Sequence, residues 1–230
     1  MRGNPGRFTV SNTPLRTLIR NAYRVPDFTI SGSPAWMNSD RYDIEAKVEG
    51  ELKGDDLLLV LKTLLEERFH LKVHRETKDG LVYMLTVAKG GPKLQPSNCV
   101  AVDPTHIPPP AAPAEKLPEI CGLNKGGGSG PSRMLNMVGL RMDEPNAVAT
   151  VPGLTFYFAS ILERTVIDKT GLSGRFDVHL EYAADSNAPL DDAPPSIFTA
   201  VQEQLGLKLE SGKGPVETLV IDHVERPTEN

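Results

Sequence analysis

Acidic and histidine side chains recur in this chain at spacings that could support chemistry. Asp177, His179 and Glu181 alternate with apolar residues in RFDVHLEY, which is typical of a β-strand with one polar face. Residues at i and i+2 on a strand lie ~6.6 Å apart, so this face could hold a water molecule or a divalent cation. Asp168 in VIDKTG and His223 in VIDHVE are further candidates, because an Asp that orients a His beside a hydroxyl group is a hydrolase arrangement.

These four residues define one of two functional hypotheses. Asp168, Asp177, His179 and His223 would be the catalytic residues of a small hydrolase acting on an ester or lactone, with a divalent cation as its cofactor if the reaction needs one. The sequence does not indicate whether the four residues meet in one site.

A structural role competes with catalysis at Asp177. The segment SGRFDVHLEYAA repeats the earlier segment SDRYDIEAKVEG, and both place Ser, Arg, an aromatic residue and Asp in the same order. Arg41 and Asp43 thus correspond to Arg175 and Asp177. A carboxylate at matched positions of two polar strand faces favours a hydrogen bond to a turn or a pairing with the neighbouring arginine.

The two repeats lie within matching series of elements. LLLVLKTLLEERF and SIFTAVQEQLG carry apolar residues at helical spacing, and Ser196 and Gly206 are typical residues to begin and end the second helix. LKVHRETKDGLVYMLTV and LKLESGKGPVETLVIDHV then predict β-hairpins around glycine-containing turns. The sequence predicts an α+β fold of two homologous lobes, each β-α-β-β-α-β-β, that arose by internal duplication.

The lobe boundaries follow from composition. Residues 91–132 are rich in Pro and Gly and show no periodicity, which predicts a linker or a large surface loop. The first lobe is therefore predicted at 1–90 and the second at 133–230.

A histidine pair and a serine give weaker signals. His70 and His74 would suit one metal ion on a helix, but the alternation in FHLKVH favours a strand, on which they would lie ~13 Å apart. Ser129 in GGGSGPS approaches the nucleophile motif G-x-S-x-G, but Pro131 replaces the second glycine and the segment is typical of a flexible linker.

Trp36 is the single tryptophan and has no counterpart in the second half of the chain. It is a candidate to line a ligand groove. The alternative is that it packs at the edge of the first lobe.

The totals exclude some classes of partner. The net charge is −5 and the Lys and Arg runs are interrupted by acids, so we expect no nucleic-acid partner. No apolar run reaches the roughly 18 residues of a transmembrane segment, and the first residues do not form a signal peptide. Cys99 and Cys121 form either a disulfide, which would indicate an exported protein, or two free thiols.

Several long motifs carry a resemblance to a known family. They include GRFTVSNTPLRTLIRNAYRV, LLLVLKTLLEERFHLKVHRET, VIDKTGLSGRFDVHLEY and FTAVQEQLGLKLESGKGPVETLVIDHVERPTEN. Over nearly its whole length the chain resembles DUF3738, a soil-associated bacterial family of unknown function abundant in Acidobacteria such as Solibacter. The resemblance implies a periplasmic or secreted location, because members usually carry an export signal, but it supplies no established catalytic residues.

Each half is also similar, at the level of element order, to the short N-terminal domains of secretins and TonB-dependent transducers, which bind partner proteins in the periplasm. The leading expectation is therefore a non-catalytic, envelope-associated or secreted module that binds a protein, a peptide or a small ligand, with no cofactor. The hydrolase is the alternative, and a purely structural spacer is a third reading.

Overall fold

The computed structural model describes residues 2–4, 7–47, 56–99, 121, 132–142, 153–183 and 194–228. Helices and strands are mixed along the chain, which confirms the α+β class. The helices are α1 (Leu15–Tyr23), α2 (Trp36–Ser39), α3 (Asp56–Phe69), α4 (Leu154–Leu162) and α5 (Ile197–Leu205), with a short 3-10 helix at Asp27–Thr29. The strands are β1 (Arg2–Asn4), β2 (Arg7–Pro14), β3 (Ile30–Ser31), β4 (Arg41–Lys47), β5 (Lys72–Val87), β6 (Gln95–Pro96), β7 (Ser132–Leu140), β8 (Val166–Asp168), β9 (Phe176–Ala183) and β10 (Leu207–His223).

The chain forms two compact units. Unit 1 comprises Met1–Gly80 together with Gly214–Asn230, and unit 2 comprises Leu81–Lys213. Contacts define these units, whereas the repeat defines the predicted lobes at 1–90 and 133–230. The division into lobes stays a prediction.

Unit 1 packs its helices against antiparallel strands. Strands β1, β2 and β4 lie side by side in that order, and β3 runs parallel to β10 at Leu219 and Val220. Helices α1 and α3 bury the apolar side chains that recur at helical spacing, as expected for amphipathic helices. The fully buried residues of this core include Phe8, Leu15, Leu18, Ile19, Met37, Leu61 and Leu65.

Unit 2 repeats this type of packing. Strands β6, β9 and β7 lie side by side in that order, and β8 runs parallel to β5 from Tyr83 to Leu85. Helix α5 packs on β9, and the Gln204 amide fixes it there by bonding the Glu181 N–H and C=O at 2.9 and 2.8 Å. The buried residues include Val82, Leu85, Leu135, Leu140, Leu154, Phe158, Val178, Leu180, Val201 and Leu207.

The two predicted hairpins are wrong. Strands β5 and β10 each run straight through their glycines, with 16 and 17 residues. Tight hairpin turns favour glycine with positive φ, but neither Gly80 nor Gly214 has it. Strand β5 instead lies beside β10, with the His74 and Asp222 side chains 2.9 Å apart in unit 1 and those of Thr86 and Glu210 3.4 Å apart in unit 2.

Helix ends explain one success and one error of the sequence analysis. Ser196 caps α5 by accepting a hydrogen bond from the Thr199 N–H at 3.2 Å, and Gly206 ends it with φ 65°, as predicted. The alternation in FHLKVH, by contrast, is not a strand throughout. Phe69 is the last residue of α3 and His70 terminates the helix with φ 48°, so the strand begins only at Lys72.

Candidate functional site

The first copy of the repeat holds a β-bulge in unit 1. The register between β2 and β4 shifts between Val10 and Thr13, and Asn12 within this bulge has φ 51°. The Asn12 N–H donates to Asp43 Oδ1 at 2.9 Å, and the Asn12 C=O accepts from Arg41 Nη1 at 3.0 Å. A bulge leaves backbone groups outside the strand ladder, and here two side chains of β4 satisfy the N–H and the C=O of the bulge residue.

The second copy does the same in unit 2. The register between β7 and β9 shifts between Met137 and Leu140, and Gly139 has φ 69°. Its N–H donates to Asp177 Oδ1 at 3.0 Å, and its C=O accepts from Arg175 Nη1 at 3.1 Å. We call each arrangement an Arg–Asp clamp: an Arg and an Asp two residues apart bind the C=O and the N–H of one bulge residue on the partner strand. Arg41 and Asp43 both lie on β4, whereas Arg175 directly precedes β9 and Asp177 lies on it.

The clamp geometry follows from the strand period of two. Residues at i and i+2 project from the same face, so their side chains can reach the N–H and the C=O of one residue on the partner strand. Asp177, a candidate catalytic residue, therefore serves as an acceptor for backbone N–H, as its counterpart Asp43 does.

The clamp in unit 2 carries an additional contact. Cys99 and Cys121 form a disulfide, with Cα atoms 5.0 Å apart. A Cβ atom at residue 139 would overlap Cys99 Sγ and would lie 3.2 Å from Cys121 Sγ, so the disulfide rests directly on Gly139.

Asp168 is engaged in a turn. It ends β8, and its Oδ1 accepts from the Thr170 N–H at 2.8 Å. The Thr170 hydroxyl in turn accepts from the Leu172 N–H at 3.1 Å. These are the side-chain to backbone bonds of Asx and Ser/Thr turns, and they order the loop before β9.

The two candidate histidines are surface residues. His179 is exposed on β9 opposite Asn136. His223 belongs to unit 1, where its Nε2 lies 2.8 Å from Glu225 Oε1, and about half of each side chain is exposed.

The four candidate residues do not form a single site among the residues that the structure describes. Within unit 2, Asp168 lies on β8 and Asp177 lies on β9 of a different sheet, while His223 belongs to unit 1. Among the residues that the structure describes, no group of three or more His, Cys, Asp or Glu side chains could hold a metal ion. His74 pairs with Asp222, whereas His70 ends a helix, and Ser129 lies outside the described residues.

Trp36 packs at the periphery of the unit 1 core. Its ring is partly buried against the core cluster, and the Arg226 guanidinium lies over it at 4.9 Å from the ring centre. Arg226 also donates to Asp40 Oδ2 at 2.9 Å, and this bond, followed by one from Ser39, lowers the pKa of the Asp40 carboxyl. Arg226 thus covers the indole face that a ligand would need.

A small groove in unit 2 was not anticipated from the sequence. It encloses about 330 Å³ beside α5 and the start of β10, and it is lined by Phe198, Thr199, Gln202, Glu203, Lys208 and Leu209. Phe198 is 39% exposed. A positional signal was present, because the buried face of α5 contains residues 200, 201 and 205, whereas Phe198 shares a helix face with the exposed Gln202.

Aromatic and charged neighbours support the groove. The Phe198 ring meets the Tyr83 ring edge to face at 5.3 Å, and the Arg164 guanidinium lies over Tyr83 at 4.8 Å. At the rim, Lys208 Nζ lies 2.7 Å from Glu210 Oε1, and this hydrogen bond lowers the pKa of Glu210. The lining of the groove therefore combines the apolar side chains of Phe198 and Leu209 with polar and charged ones.

None of the described helices is long and apolar enough to cross a membrane. Neither the curated proteins nor the solved structures include a match to this chain. The model of one protein family, described as a protein of unknown function, matches residues 16–224. This match spans most of the sequence and includes the Arg and Asp residues of both clamps. The chain therefore belongs to the DUF3738 family.

Proposed function

We propose that this protein is a non-catalytic, envelope-associated or secreted binding module whose partner is an extended peptide segment. The observation that carries the proposal is the groove beside α5, where Phe198 keeps 39% of its surface exposed above Leu209 and a polar rim. An exposed aromatic residue in a concave site is a common anchor for a partner side chain.

The dimensions of the groove favour a peptide. About 330 Å³ lies at the lower end of small-molecule sites, and it suits one aliphatic or aromatic side chain. Thr199, Gln202 and Glu203 on the rim offer hydrogen-bonding groups to the backbone of the same segment.

The engagement of the carboxylates favours binding over hydrolysis. The Oδ1 atoms of Asp168 and Asp177 each accept a backbone N–H, which is a structural role that needs no histidine partner. No specific contact among the described residues favours the ester or lactone hydrolase, which stays the alternative that the experiment below must test.

The disulfide supports the proposed location. Disulfides persist in oxidising compartments and are rare in the reducing cytosol, so Cys99–Cys121 favours the periplasm or the exterior. The similarity of each half to periplasmic interaction domains and an origin in soil Acidobacteria stay predictions.

We also infer that the two halves arose by internal duplication. The order β2, α1, β3, β4, α3, β5 corresponds to β7, α4, β8, β9, α5, β10, with the short α2 added in the first half. The two antiparallel pairs, β2 with β4 and β7 with β9, each contain a clamped bulge at the matched position. Two unrelated halves would have no reason to share both features.

The groove can be tested with peptides of defined chemistry. Fluorescent peptides that carry a single Leu, Phe or Trp in a polar background are titrated against the disulfide-bonded protein, followed by anisotropy. Phe198→Ala should weaken binding at least tenfold, because it removes the anchor. Leu59→Ala is the matched control, since Leu59 is 65% exposed on α3 and is not one of the residues that line the groove.

Two outcomes would overturn the proposal. One is that no peptide binds, or that Phe198→Ala and Leu59→Ala weaken binding equally. The other is turnover of chromogenic esters or lactones, with or without EDTA, that disappears in the His179→Ala, His223→Ala double variant. That second result would favour the hydrolase.

A further inference from the structure

The disulfide connects three parts of unit 2. Cys99 follows β6, and Cys121 lies with it against Gly139 in the bulge of β7. Both cysteines are half-buried, so part of each residue is open to solvent. The two cysteines are therefore only partly buried where they lie against the bulge residue Gly139.

Hydrogen bonds continue from the disulfide into the clamp. The Cys99 N–H donates to the Ser97 hydroxyl at 3.3 Å, and the Ser97 N–H donates to the Arg175 C=O at 2.8 Å. The Arg175 side chain binds the Gly139 C=O, and Gly139 contacts the disulfide again. These contacts form a closed ring through Ser97, Arg175, Gly139 and Cys99, and the S–S bond ties Cys121 to this ring at Cys99.

Few other described contacts hold β6. This strand has two residues, which pair with Asp177 and Phe176 of β9, and one of the two is Pro96, which has no N–H to donate. A two-residue strand gains little from its ladder, and the segment is held before β6 by the Lys93 N–H, which donates to the Leu205 C=O at 2.8 Å, and after β6 by the Ser97 bond and the disulfide at Cys99.

We propose that Cys99–Cys121 is a thiol–disulfide switch that fastens β6 and the residues up to Cys99 over the clamped bulge of β7. In the oxidised state the segment is held against β9. In the reduced state Cys99 is no longer joined to Cys121, Cys99 Sγ leaves Gly139, Ser97 leaves the Arg175 carbonyl, and the edge of β9 beside Phe176 becomes free.

The reaction balances with a dithiol as reductant. One thiolate of the dithiol attacks a sulfur of the Cys99–Cys121 bond, forms a mixed disulfide and displaces the other cysteine as a thiolate. The second thiol of the reagent then closes its own disulfide and releases the remaining cysteine. The protein gains two electrons and two protons, and the dithiol loses them.

The clamp in unit 1 provides an internal control. Asn12 is held by Arg41 and Asp43 in the same way as Gly139 is held by Arg175 and Asp177. The chain contains only two cysteines, so no disulfide can act on the first clamp. A reductant should therefore affect the second clamp alone.

Amide hydrogen exchange tests the switch on the full chain. Exchange is followed by NMR in the oxidised protein and in native buffer with dithiothreitol, and mass spectrometry confirms the gain of two hydrogen atoms. We expect exchange at Ser97 and Gly139 to accelerate at least tenfold on reduction, with a change of less than twofold at Asn12. The Cys99→Ser, Cys121→Ser double variant should match the reduced state and should not respond to dithiothreitol.

Three results would overturn the proposal. The disulfide could be reduced only in denaturant, which would make it a structural bond of the folded state. Exchange at Ser97 could stay unchanged although the mass shows full reduction. Exchange at Asn12 could rise as much as at Gly139, which would indicate global loosening. The wild-type measurement decides the matter even if the double variant does not fold.

Discussion

The two Arg–Asp clamps use the same side chains in different surroundings. In unit 1 the bulge residue Asn12 is exposed, as are Arg41 and Asp43. In unit 2 Gly139 is buried beneath the disulfide, and Arg175 and Asp177 are half-buried. The hydrogen-bonding pattern is the same, but only the second clamp is enclosed.

The difference shows what determines the bulge residue. Both positions have positive φ, which Asn and Gly tolerate better than other residues. Asn12 projects into solvent, whereas any side chain at Gly139 would meet Cys99 Sγ. The backbone therefore restricts both positions to a few residue types, and the disulfide narrows the second to glycine.

Exchanging the two bulge residues should give the largest effect. Gly139→Asn should lower the free energy of unfolding by ~2–3 kcal/mol, because its Cβ overlaps the disulfide. Asn12→Gly should stay within ~0.5 kcal/mol of the wild type, because the site is exposed. Urea unfolding monitored by circular dichroism measures both. Equal effects at the two sites would mean that the disulfide does not constrain Gly139.

Removing the cysteines should relieve the cost at Gly139. The Cys99→Ala, Cys121→Ala background should itself lose ~3 kcal/mol, since the disulfide joins residues 22 positions apart. In that background Gly139→Asn should cost under ~1 kcal/mol, and a double-mutant cycle gives the coupling. If Gly139→Asn destabilised this background as much as the wild type, the disulfide would not be the group that the new side chain meets.

Deleting each clamp carboxylate should have a smaller and unequal effect. Asp177→Ala should destabilise by ~2 kcal/mol and Asp43→Ala by ~1 kcal/mol, because an unpaired N–H costs more where water is excluded. Thermal unfolding at neutral pH measures the difference. A larger loss of stability in Asp43→Ala than in Asp177→Ala would contradict the assignment of the unit 2 clamp as the enclosed one.

The residue before each clamp arginine sharpens the comparison at low pH. Asp40 precedes Arg41 and bonds Arg226, whereas glycine occupies the matched position 174. Because the bond from Arg226 lowers the folded-state pKa of Asp40 below 3.8, its contribution to stability is present above the unfolded-state pKa and is lost as the pH falls through the folded-state value. The effect should be the smallest of the series, because the pair lies at the surface, with 60% of the Arg226 side chain exposed.

Substitution of Arg226 checks this assignment. Carboxyl carbon NMR should show the pKa of Asp40 rising in Arg226→Gln, and the two proteins should differ less in stability at pH 3 than at pH 7. An Asp40 pKa that does not respond to Arg226→Gln would contradict the assigned partner.

Local patterns in the sequence predicted much of this fold. Helical spacing placed α3 and α5, Ser196 and Gly206 marked the ends of the latter, and the mixed class followed. The hairpin predictions were wrong because the glycine after Asp79 would mark a turn only if the strand had no long partner strand elsewhere in the chain. Strand β5 has such a partner in β10, which is far away in sequence.

The site was harder to predict than the fold. The repeat indicated that Asp43 and Asp177 share a role, but the peptide groups they bind lie on strands more than 30 residues earlier in the sequence. The groove beside Phe198 depends on how α5 packs against β9, and helical periodicity alone placed this residue on the buried face. Tertiary packing decided both features.

The repeated aspartates Asp43 and Asp177 accept hydrogen bonds from the backbone N–H groups of the bulge residues and so have a structural role. Amide exchange at Asn12 and Gly139, measured by NMR in Asp43→Ala and in Asp177→Ala, tests it most directly. We expect each substitution to accelerate exchange at its own bulge residue and to leave exchange at the other bulge residue unchanged. If exchange at Gly139 stayed slow in Asp177→Ala, the carboxylate would not hold the bulge, and a catalytic role for Asp177 would again be open.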